Sequence, residues 1–344
     1  MDMDEKLHFA DFADQLLDWY AEAARDLPWR IGPKARAAGV SGDPYRIWLA
    51  EIMLQQTTVP HATRYYLNFT ERWPTVQDLA DAEDADVMAA WAGLGYYARA
   101  RNLLKCAREV AARGGWPDTV DELRELPGIG TYTAGAIGAL AFGRRAAAVD
   151  GNVDRVFARL MALKGDWKNE KLRLKTVVES LVPSDRPAEF AEALMDLGAT
   201  VCTPRSPNCL LCPVRAMCRA NSEGDPGRYP IKPKKIPKPV RVGHVYVLFD
   251  DDRQVLTERR PERGLLGGML GLPTSGWTSD WMAPSFPTDA SWTEMGEVRH
   301  VFTHFSLVLK VWRASAGTSS EMTAIEAASD ALPSVFAKAL KLAI

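Results

Sequence analysis

Apolar residues recur with a helical period through the first two thirds of the chain and with a period of two in the last third. From residue 8 to 24, Phe9, Phe12, Leu16, Leu17 and Tyr20 share one face of an amphipathic helix, which Leu27-Pro28-Trp29-Arg30 ends. The stretch Ile31 to Asp43, rich in Gly, Ala and Arg, reads as a loop. PYRIWLAEIMLQQTTV, from Pro44, predicts a second helix whose Ile47, Leu49, Ile52 and Met53 are apolar and enclose Glu51. Residues 60 to 113 predict further helices, interrupted at Gly93-Leu94-Gly95-Tyr96-Tyr97; there Cys106 shares a stripe with Leu103 and Val110 and reads as a buried structural thiol. Leu126 to Val153 reads as helix, glycine turn, helix, short loop and an acidic residue at the mouth of another helix. That last helix is marked by Val153, Val156, Phe157 and Leu160 at i, i+3, i+4, i+7. Two more helices are expected over 168 to 199.

Asn221 to Pro239 (NSEGDPGRYPIKPKKIPKP) carries too much proline for a helix or a central strand and predicts an extended linker whose lysines could track phosphate. Beyond it Val245, Val247 and Phe249 alternate, Val255-Leu256-Thr257 follows a DDR turn, and Phe305 to Trp312 alternates again. A helix over Val335 to Leu342 closes the chain. The expected organisation is therefore a multidomain chain. It comprises an all-α region over 1–220, a linker over 221–240 and a β-containing domain over 241–344.

Composition narrows this little. The 344 residues are 47% hydrophobic and 25% charged, with a formal net charge of -2. Binding to nucleic acid would thus require a local basic surface and backbone donors. No apolar run approaches the roughly 20 residues of a membrane helix, and the acidic start MDMDEKLHF lacks the features of a secretion signal, so a cytoplasmic protein is expected. Four of the five cysteines fall together as Cys202-x6-Cys209-x2-Cys212-x5-Cys218. Such spacing makes a compact four-thiolate metal loop. Zinc and an iron–sulfur cluster compete for it, and the lack of a second short Cys-x2-Cys knuckle counts against zinc.

Two further stretches carry chemistry. In Pro127-Gly128-Ile129-Gly130 the glycines permit positive φ and leave backbone N–H groups uncovered, next to a helix N-terminus at about Thr131. These are the parts of a helix-hairpin-helix, which holds phosphate without reading sequence; an ordinary helix connection uses the same punctuation. Asp150 then sits at a helix start close to this turn. Glu51 is either a solvated or salt-bridged carboxylate or, in its apolar company, one that tends to keep its proton.

LPGIGxYTAGAI followed by VDGNVxRVxAR resembles the endonuclease III superfamily of DNA glycosylases, and within it the MutY-type adenine DNA glycosylases. The resemblance is strong over 27–218 and weaker over 241–312. It implies an all-α helix-hairpin-helix glycosylase core and a C-terminal α+β Nudix-like domain. AEIMLQQT makes Glu51 the catalytic acid, with Leu54 packed in the base pocket and Gln56 reaching into the base stack; LPWR places Trp29 and Arg30 on that pocket. Asp150 would stabilise the sugar cation, oriented with the attacking water by Tyr132 and Asn152. GLGYYxRAxNL makes Tyr96 a wedge beside the lesion, with Arg99 and Arg101 near phosphate, and Gly128 and Gly130 anchor the backbone. Tyr132 occupies the position of the lysine nucleophile in strand-cutting members; a phenol cannot form an imine, so a monofunctional enzyme is implied. The cysteine loop matches the [4Fe-4S] loop of the superfamily in every interval. RRPERGLLGGMLGLP at 259–273 and His300-Val301-Phe302-Thr303-His304 resemble the C-terminal domain, in which Phe302, Thr303 and His304 would recognise 8-oxoguanine. Thr303 replaces the usual serine and keeps a hydroxyl. A Glu-rich Nudix helix is not found, so pyrophosphate hydrolysis lacks its metal ligands. The implied partner is double-stranded DNA with 8-oxoguanine:A or G:A mispairs, bound by a monomer without a membrane. A pyrimidine glycosylase-lyase and a lesion-binding module without chemistry are the rivals.

Overall fold

The computed structural model describes residues 9–231, 237–261, 264–316 and 322–344. The chain divides into two compact units, 1–233 and 234–344.

The first unit is helical, and its helices begin where the sequence supplies caps. Asp43 accepts from the Tyr45 N–H (2.9 Å) ahead of Pro44 and opens the helix Pro44–Met53. Thr75 and Asp78 form a capping box for Val76–Ala80. Asp150 and Asp166 cap Gly151–Leu160 and Trp167–Leu181. These helices enclose two apolar cores. One gathers Trp48, Phe69, Trp91 and Ile137, all fully buried. The other packs Phe9 and Phe12 of the N-terminal segment on Phe157, with ring centroids 6.3 and 5.4 Å away, and continues through Val178 to Val214 and Tyr229.

Two segments differ from the reading of the sequence. The stretch 31–43 is not all loop: Pro33–Ala37 is a short helix with proline at its first turn, and Arg36 donates to the Leu140 carbonyl (3.3 Å) and pairs with Glu192. Residues 221–231 are not an extended linker either. They fold onto the helical unit through Arg219–Ser222 and Pro226–Arg228, because Tyr229 is buried and its carbonyl accepts from Arg159 Nε (3.2 Å). Lys232, Lys234 and Lys235 lie outside the described residues.

The second unit is built on a five-stranded mixed sheet. β1 (Val240–Phe249) runs parallel to β6 (Ser306–Ser315) over its whole length, from Val240 beside Ser306 to Phe249 beside Ser315. β5 (Thr293–Val301) joins β6 as an antiparallel hairpin with an irregularity between Glu294 and Gly296. Val245 and Val247 of β1 and Leu307, Leu309 and Val311 of β6 point to one face, where Phe336 and Leu340 of the helix Ser334–Ala343 cover them. β2 (Gln254–Leu256) and β7 (Met322–Ala324) complete the sheet in the order β5-β6-β1-β2-β7, and β3 (Glu258–Arg259) pairs with β4 (Leu270–Gly271) in a separate two-stranded sheet. Among the described residues no helix is long and apolar enough to cross a membrane.

Phe157 is fully buried at the centre of the second core. Phe157→Ala is expected to lower the unfolding free energy of the helical unit by about 3–5 kcal/mol, read from urea denaturation followed by far-UV circular dichroism.

Candidate active site

A cavity of about 560 Å³ opens in the helical unit, with apolar walls from the first core. Trp29, Arg30, Glu51, Leu54, Gln56, Tyr132, Asp150 and Asn152 all line it, brought together from four separate stretches of chain. Trp29 meets Tyr66 edge to face, with centroids 5.2 Å apart. Leu54 is the C-cap of the Glu51 helix, and Gln56 stands exposed just beyond with φ +60°.

Glu51 is 6% exposed. Burial raises its carboxyl pKa from 4.5 to about 7, a hydrogen bond from the Tyr132 hydroxyl works against this, and the charge of Asp150 adds to it. The place of Glu51 in the final turn of Pro44–Met53, at the negative end of the helix dipole, acts in the same direction as burial. Tyr132, the second residue of the helix Thr131–Phe142, has its own pKa raised well above 10 by burial and by Glu51. The two therefore share a proton-retaining contact on the cavity wall.

Asp150 is fixed differently. As the N-cap of Gly151–Leu160 its Oδ1 accepts from the N–H groups of Asn152 and Val153, and its Oδ2 from Asn152 Nδ2, each at 2.8 Å. Asn152 is in turn held by Arg155, whose Nη2 donates to Asn152 Oδ1 (2.8 Å) while its Nε donates to the Cys202 carbonyl (2.8 Å). A π-helical turn, Leu197–Val201, presses on this cap. Gly198 permits the approach: a Cβ there would lie 2.5 Å from Asn152 Cβ and 3.1 Å from its Cα.

Sequence reasoning missed the charges behind the cavity. Glu192 and Asp196, 2% and 0% exposed, lie one turn apart on the buried helix Pro187–Asp196. Asp196 Oδ1 accepts from Arg30 Nη1 and Arg25 Nε, both at 2.7 Å. Glu192 accepts from the Tyr20 hydroxyl (2.9 Å) and pairs with Arg36 (3.5 Å). The available signal was Glu-x-x-x-Asp inside PAEFAEALMDLG, two acids in a run otherwise fit for a core. Arg30 thus reaches the cavity braced from behind.

The other residues expected in the helical unit do not line this cavity. Gly128 takes φ +77°, and a Cβ there would strike Asn102 Cβ at 2.8 Å. Gly130 differs from the expectation of positive φ: it is extended at φ -90° and serves as N-cap of Thr131–Phe142 without a side-chain cap, leaving that helix's first N–H groups open to an anion. Tyr96 is 58% exposed with φ +52°. Arg99 departs from a phosphate position and turns inward onto backbone carbonyls. In the second unit Phe302, Thr303 and His304 form the β5–β6 turn, closed by a bond from the Phe302 N–H to the Phe305 carbonyl (2.8 Å). Thr303 and His304 are exposed there, Trp277 stacks behind Phe302, and Lys238 donates to the Phe302 carbonyl (2.7 Å).

Cys202, Cys209, Cys212 and Cys218 are free and line one small cavity with Arg159, whose Nη1 lies 3.2 Å from Cys202 Sγ. Burial pushes the Cys212 thiol up to about 12 and raises the Cys218 thiol, so ionising them in place calls for a positively charged partner. Among the described residues no three such side chains converge as a single ion requires.

A helix-hairpin-helix with an acid and a carboxylate in one cavity defines a base-excision DNA glycosylase. Accordingly, residues 49–182 match the HhH-GPD superfamily base excision DNA repair proteins, and residues 244–342 match the NUDIX domain. The fold is shared with a thermostable thymine-DNA glycosylase (TM-score 0.56, 30% identity, 64% of this chain and 100% of that one). It is shared also with endonuclease III in a non-covalent DNA complex (0.52, 23%, 65% and 99%). The human adenine DNA glycosylase is 33% identical over 91% of this chain and 68% of its own length; that of Rattus norvegicus is 34% identical over 88% and 71%. The chain belongs to the adenine DNA glycosylase family. It is a DNA-repair enzyme that excises adenine.

Three outcomes are expected. Asp196→Ala strands Arg30 in the interior and should cost about 3–5 kcal/mol of stability in chemical denaturation. Gly198→Ala should displace the Asp150–Asn152 cap, shifting the backbone amide resonances of 150–153. Because the folded pKa of Glu51 lies above its unfolded value, its protonated form stabilises the unit fully below about 4.5 and this is lost as pH rises through about 7. Glu51→Gln should abolish that loss, roughly 3 kcal/mol, in denaturation midpoints measured across this pH window.

Proposed function

We propose that the chain removes adenine paired with 8-oxoguanine or guanine from duplex DNA as a monofunctional glycosylase, leaving an abasic site in an intact strand. The observation that carries this is the pairing, in one cavity, of a carboxyl that holds its proton to about pH 7, Glu51, with a carboxylate pinned by three donors, Asp150. Extrusion of the adenine costs a few kcal/mol and is easier at a mispair. Exposed Gln56 and Tyr96 fill the gap it leaves, while the open N–H groups at Gly130 hold the backbone. Glu51 gives its proton to adenine N7 and makes a neutral leaving group. Positive charge then develops at C1′, and Asp150 stabilises it or captures it briefly as an ester before water completes hydrolysis. Asn152, fixed by Arg155, keeps Asp150 in register; Tyr132 hydrogen-bonds Glu51 and supplies no amine for strand cleavage. Trp29 and Leu54 shape the base pocket, and Arg30 presents a braced cation to the sugar-phosphate.

The four cysteines fit a [4Fe-4S] cluster, which when bound supplies positive charge that keeps the thiolates ionised and orders the loop. Arg155 and Arg159 tie that loop to the helix capped by Asp150. The Phe302-Thr303-His304 turn, with Phe302 half-buried and Thr303 and His304 exposed, presents a ring, a hydroxyl and an imidazole suited to a flat purine with an 8-oxo group. The enzyme acts as a monomer in the cytoplasm on this reading.

Asp150→Asn is expected to bind an 8-oxoguanine:A duplex yet excise adenine at least about a hundredfold more slowly in single turnover. Normal turnover by this variant contradicts the assignment. For the unsubstituted enzyme, excision should decline as pH rises through about 7, where Glu51 loses its proton. Strand breakage should appear only after alkali; a borohydride-trapped adduct would instead mark a glycosylase-lyase. Protein purified without oxygen should contain iron and acid-labile sulfide, and zinc without sulfide overturns the cluster.

A further inference from the structure

The two exposed residues that fill the gap share one half-buried cation, Arg99. Arg99 Nη1 donates to the carbonyls of Gln55 (2.6 Å) and Ile52 (2.9 Å), and its Nη2 to those of Leu94 (3.1 Å) and Gly95 (3.2 Å). The guanidinium also lies 5.3 Å from the Tyr96 ring centroid and 5.4 Å from that of Trp91. Gln55 and Gly95 immediately precede Gln56 and Tyr96, which hold φ +60° and +52°. For residues with a side chain that region costs about 1–3 kcal/mol and persists only where the surroundings impose it. Holding the carbonyl before each residue restrains the peptide plane from which its φ is measured, so one side chain acts on both conformations. The Ile52 carbonyl belongs to the last turn of the helix Pro44–Met53, where carbonyls lack intrahelical partners and a cation is favoured. Two other side chains bind the second turn: the Tyr65 hydroxyl donates to the Ala92 carbonyl (2.9 Å), and Trp91 Nε1 shares the Gly95 carbonyl with Arg99 (3.0 Å).

We propose that Arg99 is a positioning residue that locks Gln56, Tyr96 and the Glu51 helix into one block, so that opening the base stack and presenting the acid are coupled. This rests on the reading of the chain as an adenine glycosylase. Lysine does not replace it, because one ammonium lacks the planar fork that spans two turns.

The test uses the full-length, cluster-loaded protein and two variants, Arg99→Met and Arg99→Lys. Extrusion is followed by stopped-flow emission of 2-aminopurine opposite 8-oxoguanine, and excision by single-turnover release of adenine. Both rates should fall together by about 10- to 100-fold in either variant, the scale set by small misplacements of reacting groups. The pH at which excision declines should stay where it is in the unsubstituted protein, because Glu51 keeps its own surroundings. Slowed excision with normal extrusion, a shifted pH profile, or unchanged rates overturns the proposal. Arg99→Lys, which retains the charge, supplies the comparison if Arg99→Met does not fold. Failure of the unsubstituted protein to release adenine overturns the functional reading itself, and no variant is needed to see it.

Discussion

The site depends on keeping a carboxyl group away from water. Glu51 sits at the end of a helix otherwise fitted for the core, and its burial makes proton loss costly until about pH 7. Such a group is tolerated only where the neighbouring charges are balanced. Arg30 and Arg36 against Glu192 and Asp196 provide that balance behind the cavity, each charge held by a partner at short range. Breaking one of them exposes the others to the full penalty of burial.

Around this proton the chain fixes every other group by backbone geometry. Asp150 is held as a helix cap, which aims a carboxylate with two peptide N–H groups and one side-chain amide. Gly198 lets a π-helical turn lie against that cap. Arg155 and Arg159, one turn apart on the same helix, then bind the carbonyl of Cys202, and Arg159 also reaches its sulfur. The cysteine loop is thereby joined to the helix that Asp150 caps.

Much of this was legible in the sequence, for identifiable reasons. The helical stripe after Asp150 and the apolar setting of Glu51 follow from spacing alone, and the alternation of Val245, Val247 and Phe249 yields the sheet. Glu192 and Asp196 were not legible, because their importance lies in arginines more than 150 residues away in the chain, as the separation of Arg30 from Asp196 shows. Arg99 was misread for a related reason: an arginine in a helix after an exposed turn looks solvent-facing, and only the fold reveals the carbonyls converging on it. Residues 221–231 misled through their prolines and glycines, since the burial of one tyrosine, Tyr229, outweighs the local preference for an extended chain.

The most direct test follows the Glu51 carboxyl itself. Protein labelled with carbon-13 at the glutamate side-chain carboxyl, compared with Glu51→Gln to assign the resonance, should show one glutamate titrating near pH 7. A Glu51 resonance that titrates near the ordinary value of about 4.5 would mean that the cavity holds a solvated carboxylate, and that the acid on which the account rests is absent.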